Sequence, residues 1–325
     1  MKRASAGLVA GLAALALTTA ALAAAVAAPP IRAMLWVPKD ADPARALGTA
    51  PTECLRTPSD PAQARRVEIG HAAFRTPVVL GGQAARAGIS CESCHRQGRD
   101  NPDFQFPGVS GPPGTADVTS SLFSTHRGNG VDDPKPIPDL SGPKTRLKVD
   151  QAPKPAKLEA FIHGLITEEF DGPEPTPATL QGLAAYVRAL DPAACPAHPR
   201  QPLNVALLMA DARRALHAAR QAAADGDRPT AVIMVAAARA RLGLIDERFS
   251  ADPALGPDRD ALRAADARLA ALQQTLRRPH ADAAPALAAW LSQSQPLEAA
   301  LTRHEPRSLF NPDHLAQAAK RRLPG

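Results

Sequence analysis

The chain is predicted to be mainly α-helical and to divide into two parts, on three observations. Apolar residues recur three and four apart in several stretches from Leu158 onward, the spacing that gives a helix one apolar face. Residues 101–155 are instead crowded with Pro, Gly, Asp and Ser, which argues for loop because proline lacks a backbone donor and breaks helix interiors. Beyond Pro202 the texture changes to long Ala- and Arg-rich stripes, as an α-helical hairpin or a four-helix bundle requires. A chain of 325 residues has room for two domains of ordinary size.

At the start, Lys2 and Arg3 precede an apolar, Ala-rich run from Gly7 to Ala28 that contains Ala25-Val26-Ala27 near its end. A charged beginning, an apolar middle and a small-x-small end read 1–27 as a signal peptide. The alternative is an uncleaved anchor, since about 20 residues span a bilayer. Either way the remainder is expected outside the cytoplasm, exported or periplasmic, and at a membrane only if the run is retained. Residues 28–61 are expected to form an extended approach to a domain over 62–195. Two helices should close that domain. Leu158, Phe161, Ile162, Leu165 and Ile166 share a face until Gly172-Pro173 stops it; the next helix starts at Thr176-Pro177 and ends at Asp191-Pro192. A helical domain over 202–325 follows, with stripes on Val205–Leu216 and Val232–Ile245 separated by Asp225-Gly226-Asp227. A third helix opens at Pro257, and a fourth, shorter one over Leu287–Leu301 is interrupted by Pro296.

Formal net charge is +6, without a dense basic stripe, and aromatic content is 3%. That argues against a nucleic-acid surface and leaves a mild preference for acidic redox partners. So few rings imply a core of Ala, Leu and Val, or one that borrows apolar surface from a cofactor. Of the four cysteines, Cys54 and Cys195 bracket the first domain. In an exported chain they are expected to form a disulfide, with two separate buried thiols as the alternative. Closing so long a loop is worth roughly 4–5 kcal/mol in a chain-entropy account.

The other two cysteines lie in Cys91-Glu92-Ser93-Cys94-His95. Two thiols separated by two residues of a helical turn reach two vinyl groups of one porphyrin, and the following His turns its imidazole to the iron. This spacing predicts one covalent haem c on Cys91 and Cys94, with His95 as proximal ligand. A thioredoxin-like redox pair would want a preceding strand, and zinc a second ligand pair nearby; neither is apparent. The long Pro- and Gly-rich loop is expected to wrap the haem. No Met occurs between Met34 and Met209, so His126 in that loop is the candidate distal ligand, against an open or water-bound position. His71 and His163 read as ordinary helix, loop or surface residues. Arg127 and Arg96 are candidates for the haem propionates, with surface charge the alternative.

Gly70-His71-Ala72-Ala73-Phe74-Arg75-Thr76-Pro77, Leu80-Gly81-Gly82-Gln83 and Ile89-Ser90 lead into the motif; Arg99-Asp100-Asn101 and Ile137-Pro138-Asp139-Leu140 follow it. Together they resemble one half of the di-haem cytochrome c peroxidase group, which includes the methylamine-utilisation (MauG-type) enzymes. The resemblance implies a class I cytochrome c-like helical wrap for the first domain. Those enzymes carry two haem motifs and this chain carries one. Electron transfer with a redox partner protein is therefore expected rather than catalysis. The alternatives are a peroxidase-like haem enzyme or enzyme subunit with an open distal site, and a haem-based sensor or scaffold. Oligomeric state is left open.

Overall fold

The computed structural model describes residues 31–119, 122–126, 128 and 130–321; the segment 1–27 expected to be a signal peptide and the propionate candidate Arg127 lie outside them. The described chain is mainly helical, as expected. Acidic and hydroxyl side chains placed just before prolines start many of its helices. Asp42 caps α1 (Pro43–Gly48), and Asp60 accepts from the Gln63 N–H at 2.7 Å to start α2 (Pro61–Phe74), the usual remedy for unpaired first-turn donors. Three short helices follow: α3 (Pro77–Leu80), α4 (Gly82–Ala87) and α5 (Cys91–Cys94). After the long loop come α6 (Lys157–Gly164), extended by a wider turn to Glu169, and α7 (Pro177–Ala189), capped by Thr176 as its sequence suggests.

The described residues of 101–155 are loop but for one 3-10 turn at Lys144–Arg146 and a two-residue antiparallel pairing of β2 (Thr115–Ala116) with β3 (Lys135–Pro136). The approach expected to be extended instead carries a 3-10 turn at Arg32–Trp36, α1, and β1 (Thr49–Pro51). Its folding partner comes from far along the chain: β1 pairs antiparallel with β4 (Arg200–Pro202), Thr49 opposite Pro202. The Cys54–Cys195 disulfide forms beside this ladder, so both ends of the first segment are tied together.

Helices α2 and α7 cross at two glycines. A Cβ on Gly70 would sit 1.9 Å from the Gly182 carbonyl oxygen, so the backbones touch only because neither residue has a side chain. One turn on from this contact, Phe74 and Tyr186 bring their rings to 5.0 Å.

Beyond Asn204, α8 (Val205–Ala224), α9 (Arg228–Phe249), α10 (Gly256–Arg277) and α11 (Ala284–His304) pack in a closed cycle, each on the next and α11 back on α8. Of the two arrangements expected, this is the four-helix bundle. Pro296 does not interrupt α11, which is as long as its neighbours. Leu287, Trp290 and Ser294 before it and Leu301 after it are buried, and the Trp290 indole donates to the Ala265 carbonyl at 3.1 Å. Packing on both sides outweighs the missing hydrogen bond.

Because α2 also packs on α8 and α9, one apolar core runs from Val67 to Phe310 through both parts. A second, small core joins Ile31, Met34, Ala46 and Leu47 to Leu309, Leu315 and Ala318. The last three lie on and before α12 (Pro312–Arg321), a helix the periodicity did not reveal. No helix of the described residues is long and apolar enough to cross a membrane.

Candidate functional site

The sequence Ser90-Cys91-Glu92-Ser93-Cys94 folds as one isolated helical turn because its serines satisfy each other's backbone. Ser90 and Ser93 form a reciprocal capping box, with the Ser93 hydroxyl accepting from the Ser90 N–H at 3.1 Å. The His95 N–H closes the turn onto the Cys91 carbonyl at 2.8 Å. Positions 91, 94 and 95 therefore share one face, while 92, 93 and 96 share the other. Both motif cysteines are free although Cys54 and Cys195 are bridged. Burial pushes each thiol up to about 12, the reverse of the lowered thiol that makes a Cys-x-x-Cys pair redox-active.

His95 faces a fixed partner. Its Nδ1 lies 3.0 Å from the Pro138 carbonyl oxygen; a carbonyl only accepts, so Nδ1 carries the proton and Nε2 keeps its lone pair. Burial also lowers the imidazole to about 4, against the opposing pull of Pro138 and Asp139, so the ring is neutral at pH 7. The loop bearing Pro138 is held to the motif by two further bonds: Arg99 Nε donates to Asp139 Oδ2 at 2.8 Å, and the Leu140 N–H to the Gly98 carbonyl at 3.1 Å. The Arg99 and Pro138 stretches, noted separately in the sequence, thus meet beside His95. Phe74 lies 6.4 Å from the His95 ring, and Ile137 and Leu140, on either side of the Pro138-Asp139 pair, are partly buried against the main core.

Behind the turn is a buried charge network that the sequence did not disclose. Arg75, fully buried, donates to Glu53 at 2.9 Å and Gln97 at 2.6 Å, and lies 3.6 Å from both Glu92 and Asp211. Burial would lower the guanidinium, but Tyr186, Glu92, Glu53 and Asp211 together hold it well above its ordinary value. Burial likewise raises Glu53, yet Arg75 and His71, with hydrogen bonds from His71 and Tyr186, keep it well below the carboxylate range. The Tyr186 hydroxyl donates to Glu53 at 2.6 Å. His71 is buried against Tyr186 and 2.8 Å from Arg214 of α8; burial, then Arg75, lowers it despite Glu53 and Asp211. Glu92 accepts the Gln97 N–H at 3.1 Å, and that bond, with the Arg75 contact, holds Gln97 at φ 54°. Only an i, i+4 pairing of glycine with an aromatic, Gly70–Phe74 and Gly182–Tyr186, hinted in the sequence that these two helices meet.

The remaining sequence candidates fall elsewhere. His126 is 66% exposed and its Nε2 lies 3.8 Å from Asp171. His163 is partly exposed and bonded to Glu174 at 2.9 Å. Arg96 donates to the Ala46 carbonyl on the face of α5 opposite the thiols. Among the described residues no group of three or more His, Cys, Asp or Glu is arranged to hold a metal ion, so a zinc reading of the two thiols finds no further ligands there. Comparison of the chain with family models, curated proteins and solved structures gives no match.

Proposed function

We propose that the chain is an exported monohaem c-type cytochrome that transfers electrons. Its one haem c is joined through Cys91 and Cys94, and His95 is the proximal ligand. The observation that carries this reading is the bond from His95 Nδ1 to Pro138 O. It fixes the tautomer and aims an unprotonated Nε2, as second-shell carbonyls do for metal-bound histidines, next to two protonated thiols one turn apart. The residues present fit the group. Bound there, haem would supply a one-electron couple at iron; the chain supplies two attachment points, an oriented imidazole and the neighbouring Phe74 ring. The disulfide accords with an oxidising compartment, and the partner is a redox protein.

A second reading, peroxide or gas chemistry at an open sixth position, is favoured by one observation: His126 and His163 both turn to carboxylates near the surface. Ultraviolet–visible spectra of the holoprotein separate the two. An electron carrier with a closed iron stays low-spin and ignores cyanide, carbon monoxide and peroxide; rapid binding or reaction shifts the assignment to the second reading. Absence of any haem spectrum removes both.

A further inference from the structure

The face of α5 turned away from the thiols borders a cleft of about 310 Å³, enclosed by this turn, residues 31–50, and helices α8 and α9. Glu92, Ser93 and Arg96 line it; Cys91, Cys94 and His95 do not. Its walls are mostly apolar, with Trp36, Leu47, Phe104, Leu207 and Leu244 among them.

Four arginines also line the cleft; Arg32 pairs with Glu247, but among the described residues Arg96, Arg241 and Arg248 form no ion pair with a carboxylate. Arg96 and Arg248 donate to the neighbouring carbonyls of Ala46 and Leu47, so two guanidinium groups converge at one end. Burial drops Arg248 to about 9. Arg241, buried, donates to the Arg75 carbonyl at 2.7 Å and leaves its Nε without a partner. The carboxylates bordering the cleft are engaged already. Glu92 and Asp211 face Arg75, Glu247 pairs with Arg32 at 2.9 Å, and Asp103 with Arg45 at 2.5 Å. One end therefore holds two guanidinium groups, Arg248 buried and Arg96 partly buried, whose acceptors are backbone carbonyls. Arg248 also donates to the Leu309 carbonyl and lies over the Phe310 ring at 4.8 Å, but neither arginine has the carboxylate partner that a desolvated cation favours.

Gly243 keeps the space open. It lies inside α9, where glycine is among the poorest helix formers. A Cβ built on it meets no atom within 4 Å, and the residue borders the cleft.

We propose that this cleft binds a small organic carboxylate, its head between Arg96 and Arg248 and its apolar chain along Trp36, Leu47 and Leu244. The volume is at the small end of ligand sites, roughly 300–1,000 Å³, which suits a medium-chain acid better than a fused-ring molecule.

Isothermal titration of the full-length protein with sodium octanoate tests this, with 1-octanol as the uncharged control. Octanoate is expected to saturate a single site, and octanol to bind about tenfold more weakly or less. Gly243→Leu, which fills the cleft and improves the helix, is expected to abolish octanoate binding without lowering the unfolding temperature. Arg96→Gln is expected to weaken binding about tenfold; if that variant does not fold, Gly243→Leu still decides. Absence of saturable binding, equal affinity for octanol, or wild-type affinity in Gly243→Leu overturns the proposal.

Discussion

The four-helix bundle and the segment around Cys91–His95 handle charge in opposite ways. In the bundle, ion pairs sit on the outside: Arg239 with Asp266 and Arg259 with Asp246 pair across neighbouring helices at partly exposed positions. The interior of the bundle is mostly Ala and Leu. Around the motif the ions are inside. Arg75, Glu53, His71, Glu92 and Asp211 form one largely buried group, and the rings of Tyr186 and Phe74 pack beside it. A bundle can be specified by a repeating apolar stripe. A site that must fix one imidazole and two thiols needs directional partners, and buried ions supply direction at the cost of desolvation.

Substitutions can break this contrast, the largest effect coming from Arg75. Arg75→Leu strands three carboxylates and is expected to cost about 3–5 kcal/mol in urea unfolding, whereas Arg259→Leu in the bundle is expected to cost about 0.5 kcal/mol. Similar losses from the two would remove the distinction. Next comes the disulfide: replacing Cys54 and Cys195 together by Ser is expected to lower stability by about 2–5 kcal/mol, measured without reductant. Gly70→Ala drives a Cβ into the Gly182 carbonyl and is expected to cost about 1–3 kcal/mol. Gly164→Ala, whose Cβ meets nothing within 4 Å, is expected to be neutral or slightly stabilising.

The smallest effect is a pH dependence, and its sign follows from His71. Burial holds this imidazole below its ordinary 6.5, so near that pH the unfolded chain binds a proton that the folded chain refuses. Stability is therefore present above pH 6.5 and falls as pH drops below it. The lowered Glu53 adds a further loss below about pH 4.5. Glu92, raised above 4.5 by burial, acts in the opposite sense. Comparing urea midpoints of the wild type and His71→Gln between pH 7 and pH 5 isolates the histidine: the variant is expected to show a flatter slope.

The same contrast explains what could be read from the sequence. Helices α7 to α10 were legible because their apolar stripes and their caps or opening prolines, Thr176, Asp227 and Pro257, are local signals. Cys54–Cys195 followed from counting thiols, and the motif face from five contiguous residues. His71 read as ordinary because its partners come from elsewhere: Glu53 before α2, and Asp211 and Arg214 from α8. Pro138 lies 43 residues beyond the imidazole it orients. Neither relation leaves a period or a spacing in the chain. The short helix α1 and the last helix were missed for the same reason, since each is held mainly by the other end of the protein.

The most direct test weighs the intact protein. Full-length chain made in a strain competent for cytochrome maturation, extracted with acid–acetone and measured by mass spectrometry, is expected to keep the extra mass of one haem. Cys91→Ser with Cys94→Ser is expected to lose it. A bare polypeptide mass from the wild type, or a zinc ion in place of the haem, would contradict the account.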